Sequence, residues 1–148
     1  MTTITRNGVS LDLPDDWELW NQNRWAGTDT MVAAKIWDGT WPNMEVSNLG
    51  EEPNSDVEYT RAFAQRWVKR QRVTMLNERF IQVNGFDAYE FCYSRKPLFR
   101  KTFYFCKVSV VIEGIEYMIQ LASRDMNKDK DIFDQIVDSI QFEFIQRG

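Results

Sequence analysis

The spacing of hydrophobic and polar positions switches period several times along the chain. Val9, Leu11 and Leu13 alternate with Ser10 and Asp12, which predicts a strand stopped by Pro14. "DDWELW" then reads as a turn or a short helical segment. "TMVAAKIW", from Thr30 to Trp37, predicts a second strand, and "NMEVSNL" a third, opening at Pro42 after the Gly39 turn. Next the period lengthens. Thr60, Phe63, Ala64, Trp67 and Val68 fall on one face of a helix, with Ser55 and Glu58 as a capping box at its start. Arg66, Lys69 and Arg70 occupy its other side and its C-terminal end, where cations suit the helix dipole.

"VTMLNERFIQV" returns to strand, and Asn84–Gly85 is a hairpin signal. Tyr89, Phe91 and Tyr93 share one face of the returning strand "DAYEFCYS". After the "RKPLFR" loop, "KTFYFCKVSVVI" is a long strand that turns at Glu113 and Gly114 into "IEYMIQLAS". Asn127 or a neighbouring Asp starts a closing helix with Phe133, Ile136 and Ile140 facing inward, and residues 142–145 supply a last strand. Strands, helix, strand meander, helix, strand is the order of an α+β fold: a mainly antiparallel sheet with helices packed against it. No repeat or linker divides residues 1–148, so one domain is expected.

A chain of 148 residues, 43% apolar and 14% aromatic, can bury one bulky core without metal or disulfide. No segment approaches the ~20 apolar residues needed to cross a bilayer, so no membrane insertion is expected. The leading "MTTITRNGVS" lacks a cationic start followed by a hydrophobic run, which makes a cytoplasmic protein the expectation. Cys92 and Cys106 are too few for a disulfide scaffold and lack zinc-site spacing. Their strands are neighbours, so the two could face one another across a hairpin. In a reducing compartment the favoured reading is two small apolar core side chains.

Four stretches carry a family likeness. They are "VSLDLPDDW"; the helix "SDVEYTRAFAQRWVKR" leading to "VTMLNERFIQVNG"; "GFDAYEFCYS", with a glycine turn before a small residue and an aromatic strand; and "FDQIVDSIQFEF". Together they resemble the PsbP-like superfamily, which also contains the DcrB lipoproteins, a Ran-binding nuclear import factor and the Eag chaperones of type VI secretion. The resemblance implies a curved, mainly antiparallel sheet in an α/β/α sandwich. Because members are largely non-enzymatic binding proteins, it also implies a protein-binding adaptor or chaperone, with no cofactor.

The residues themselves point the same way. Histidine is absent, which removes the commonest general base and transition-metal ligand. Asp15–Asp16 and Glu51–Glu52 are paired only in sequence, unlike the facing carboxyls of a glycosidase. Asp125, Asn127, Asp129 and Asp131 begin like a calcium loop, but Lys130 and Ile136 stand where glycine and glutamate are required. An acidic helix start accounts for them better. Ser139 reads as satisfying a local backbone carbonyl or meeting solvent rather than as a nucleophile.

Charge is uneven: residues 1–58 carry −8, residues 59–107 carry +8 and residues 108–148 carry −4. The basic group comprises Arg66, Lys69, Arg70 and Arg72 on the helix, and Arg95, Lys96, Arg100 and Lys101 on the following loop. With an acidic whole and no nucleic-acid motif, a protein or anionic partner outranks nucleic acid, beside the plain reading of a solvated face. Of the six tryptophans, Trp17 and Trp67 read as core. Trp20, Trp25, Trp37 and Trp41 lie in or beside turns, where they cover the core edge or line a recognition surface. The leading reading is a sheet face, with the Trp37 and Trp41 turn, engaging another polypeptide. A small-molecule-binding protein or carboxylate enzyme with a pocket beside the sheet, and an oligomeric scaffold subunit, remain the alternatives.

Overall fold

The computed structural model describes residues 1–6, 8–20, 30–35, 41–51 and 56–143, with residues 20 and 30–35 described by backbone. Two sheets form, and every strand pair is antiparallel. The smaller sheet has the order β1–β2–β10, from β1 (Thr2–Arg6), β2 (Val9–Leu13) and β10 (Gln141–Phe142). The larger has the order β3–β4–β5–β9–β8–β7–β6. Its first half is β3 (Trp17–Trp20), β4 (Thr30–Lys35) and β5 (Asn43–Glu51). Its second half is the meander β6 (Thr74–Val83), β7 (Phe86–Arg95), β8 (Phe103–Ile112) and β9 (Ile115–Ser123). Two of its turns, Asn84–Gly85 and Glu113–Gly114, place both residues at positive φ, which matches the right-handed twist of the strands they join.

Helix α1 (Val57–Gln71) lies on one face of the large sheet, against β6, β7 and β8. Helix α2 (Met126–Asp138) and the small sheet lie on the other. The register explains the division. Met44, Leu121, Cys106 and Cys92 form one cross-strand row toward α2, where Phe133 and Ile136, with Ile140 just past the helix end, are fully buried. Glu45, Gln120, Lys107 and Phe91 form a row on the α1 side.

Several elements differ from the sequence reading, each for a local reason. β1 went unread because Ile4 is its one apolar residue, and the strand sits at the edge of the small sheet. "DDWELW" is a turn followed by a strand: Trp17 N donates to Pro14 O at 3.0 Å, and Trp17–Trp20 then pairs with β4. α1 is capped by Asp56, whose Oδ1 accepts from Tyr59 N at 2.7 Å, one residue past the expected Ser55, which lies outside the described residues. The last strand, expected over residues 142–145, begins at Gln141 and pairs with β2, and residues 144 and 145 lie outside the described residues. The cysteines are bonded rather than packed as separate thiols: Cys92 and Cys106 are register partners with Cα atoms 4.1 Å apart.

Polar contacts fasten α2 at its start, at its end and along its length. Asp125 caps its first turn by accepting from Lys128 N, and Asp129 accepts from Ser123 Oγ at 2.6 Å, so the acidic run serves the helix start. Ser139 Oγ donates to Ile136 O at 2.6 Å and accepts from Asp12 N at 2.8 Å, tying the helix end to β2. Glu90, 1% exposed, accepts from Arg79 Nε at 2.7 Å and Lys130 Nζ at 3.2 Å, and Asp134 bonds both cations. A carboxylate this buried is tolerable only because it is paired.

Lys130→Met is therefore expected to lower unfolding stability by about 2 kcal/mol in chemical denaturation, since it strips Glu90 of one of two cations. Replacing both cysteines by alanine opens a loop with sequence separation 14. The expected cost is about 2–3 kcal/mol, measured against the oxidised parent.

Candidate binding site

A helix about 10 Å across cannot cover seven strands spaced about 4.8 Å apart. α1 covers the aromatic half of its face. Tyr89, Phe91 and Tyr93 stack along β7 with centroids 5.8 and 5.7 Å apart, and Phe105 of β8 continues the stack at 5.0 Å. Trp67 meets Phe91 and Tyr93 edge-on, and Ala64 gives the close approach. Tyr89 donates to Glu78, and burial first, then that carboxylate, drive its pKa upward. Burial pushes Tyr93 up to about 12.

Beside α1 the sheet face opens into a cavity of about 190 Å³. Phe63 and Trp67 of α1, Leu49 of β5, Phe91 of β7 and Met118 of β9 supply its apolar lining. Lys107, Ser109 and Glu116 supply its polar groups. Leu49 and Phe63 stand half exposed at its rim, 52% and 50%. The open face continues along β5 to Trp41, whose ring meets that of Phe103 at a tilt with centroids 5.1 Å apart, beneath the Arg124 guanidinium. From Leu49 to Trp41 this strip runs about 26 Å at strand rise.

Two charges sit half-buried in the strip. Lys107 Nζ lies 3.9 Å over the Trp67 ring, and desolvation lowers its pKa, with Glu45 opposing and Arg95 assisting. Desolvation raises the pKa of Glu45, with Lys107 opposing. The two stand two strands apart with Gln120 between them, roughly 10 Å at sheet spacing. Their attraction is therefore too weak to cancel the loss of water around either. A perturbed pair beside a cavity marks a site candidate.

The residues singled out from sequence separate. Arg66 and Lys69 lie on the outer flank of α1 beside β6, and Arg70 is exposed near the helix end. Lys96, Arg100 and Lys101 gather with Arg124 at the β7–β8 loop, next to Arg95 at the end of β7. Trp41 joins the open strip. The side chain of Trp20, and Trp25 and Trp37 entirely, lie outside the described residues. Trp17 is core as expected, whereas Trp67 is only half-buried and walls the cavity. Sequence reasoning missed Glu45, Leu49, Lys107 and Met118, and it assigned Phe63 to the buried helix face. One signal was present: Lys107 and Ser109 interrupt the apolar run of β8 on alternate positions, which marks a face not wholly covered.

This geometry defines a fold class. A solution structure of cyanobacterial PsbP from Synechocystis superposes with TM-score 0.66 at 11% identity, over 95% of this chain and 91% of that one. The Ran-binding protein Mog1p of Saccharomyces cerevisiae gives 0.65 at 11%, over 96% of each chain. LpqN of Mycobacterium tuberculosis, described as involved in cell envelope biogenesis, gives 0.56 at 17%, over 95% of this chain and 88% of that one. The chain therefore has the PsbP-like fold. No family model matches the sequence, and no curated protein matches it.

Because the raised pKa of Glu45 means its ionised form is disfavoured in the folded state, the linked stability falls as pH rises through the folded pKa. Glu45→Gln is expected to raise Tm at pH 7 and to lose that advantage near pH 4, where the parent carboxyl is protonated. An equal effect at both values would assign the change to packing.

Proposed function

We propose that the protein is a non-enzymatic polypeptide-binding adaptor or chaperone, and that the strip beside α1 receives an apolar segment of its partner. One observation carries the reading: Leu49 and Phe63 remain half exposed around a cavity walled by Trp67, Phe91 and Met118. Large apolar side chains grouped in this way mark recognition surfaces. The strip's length suits an extended segment of about eight residues or a helix of about five turns. Arg124 at one end and Glu116 near the other favour one direction for a segment carrying opposite charges at its two ends. That one solved neighbour is named as Ran-binding supports a polypeptide as the ligand.

A small-molecule site centred on Lys107 is the second reading, favoured by the lowered pKa of that lysine. Its cavity of about 190 Å³ is small beside the roughly 300–1,000 Å³ of typical ligand pockets. The disulfide bears on location, because such bonds persist where thiols are oxidised and are rare in the cytosol. Among the described residues no helix is long and apolar enough to cross a membrane. The cytoplasmic expectation holds if alkylation in denaturant, after acid quenching of intact cells, finds both thiols free, and fails if it finds neither.

In affinity capture from the native host, Phe63→Asp is expected to lose at least tenfold of a polypeptide that the parent recovers. Phe80→Asp, altering an equally exposed aromatic of β6, is expected to retain it. Equal recovery by both variants would remove the strip as the binding surface.

A further inference from the structure

The two poles of the large sheet differ in charge. At one pole lie the end of α1 with Arg72, the end of β7 with Arg95, the β7–β8 loop, and Arg124 after β9, with Asp15 and Asp16 before β3 and the α2 cap Asp125 as its acidic members. At the other lie Glu51, Asp56, Glu58, Asp87 and Glu113. The basic pole ends in an apolar tip. Leu98 is 85% exposed and Phe99 is fully exposed. A turn holds them there, with Arg100 N donating to Pro97 O at 3.2 Å. Phe99 takes φ 62°, a left-handed conformation that disfavours a bulky L residue, and so exposed a ring gains no packing in return. Beside the tip is an open depression of about 750 Å³ lined by Lys96, Arg100, Lys101 and Arg124, with Thr102 and Tyr104 supplying hydroxyls.

We propose that this pole docks on a membrane surface containing anionic lipid, with Leu98 and Phe99 entering between headgroups and the surrounding cations meeting the lipid phosphates. The match is chemical at both depths. Adjacent apolar side chains at a convex tip need no complementary pocket in a bilayer, where acyl chains close around them. A protein partner would have to supply that pocket, while the depression beside the tip is itself cationic and open. Basic side chains near a negatively charged leaflet are attracted additively, and the acidic pole orients the molecule by repulsion. Such contact reaches the outer part of one leaflet and requires no spanning segment. The Leu49 end of the strip would stay in water.

Co-sedimentation of the full chain with vesicles tests the proposal. Vesicles of phosphatidylglycerol and phosphatidylcholine are expected to retain the protein, pure phosphatidylcholine is not, and retention should fall steeply as salt rises. Leu98→Ser/Phe99→Ser should lower partitioning about tenfold. Lys96→Gln/Lys101→Gln should lower it roughly fivefold per charge. Both variants alter exposed side chains and should keep the parent Tm. In Phe99→Trp, emission should shift to the blue on adding anionic vesicles, beyond any change in the parent. Absence of binding to anionic vesicles, equal binding to neutral ones, or retention unaffected by the double serine variant would overturn the proposal. Binding of polyglutamate without binding of vesicles would overturn it in favour of an acidic protein partner.

Discussion

The constraint on which the rest depends is the mismatch between one helix and a seven-stranded sheet. On the α2 side a second helix and the small sheet share the task of coverage, and the rows through Val108, Ile119 and Leu121 are dry. On the α1 side a single helix covers the sheet among the described residues. It takes the aromatic stack of β7, where each ring contributes the most apolar area, and leaves β5 and β9 with mixed rows that water can reach. Glu45, Ser47, Gln120 and Met118 are tolerable on that surface because neither full burial nor full exposure is imposed on them. The same incompleteness produces the cavity.

Charge follows a second geometric rule. The strands of the meander run antiparallel, so residues distant in sequence meet at the poles. Arg72, Arg95 and Arg124 come from three elements and reach one end because the strands beside them stop or start in register. The uneven charge along the sequence thus becomes polarity in space. Glu90 is the exception that serves stability: it sits in the core row and is neutralised by Arg79 and Lys130. It therefore has no lone charge to offer to chemistry.

The parts legible in the sequence were those with strong period or turn chemistry. Both two-residue turns, the aromatic face of β7, the inward Phe133 and Ile136 of α2 and the buried Ile140 just past its end follow directly from spacing. Ser139 also matches its reading, as a donor to a local carbonyl, and it gains an acceptor role toward Asp12. What escaped was set by tertiary pairing. β1 is held by its neighbour rather than by its own residues, and Trp17–Trp20 is too short to show a period. The groove escaped for the same reason: Phe63 carries the helical spacing of a core residue, and only the width of the sheet reveals that among the described residues it faces a cavity rather than a packed core. Leu98 and Phe99 read as an ordinary loop, because exposure is invisible in spacing.

The direct measurement is site-specific photo-crosslinking in the native host, with a photoreactive phenylalanine analogue placed at Phe63 in one variant and at Phe80 in another. Crosslinking of a polypeptide from position 63 and not from position 80 is the expected result. Crosslinking from position 80 alone, or from neither, would contradict a partner seated on the uncovered half of the sheet.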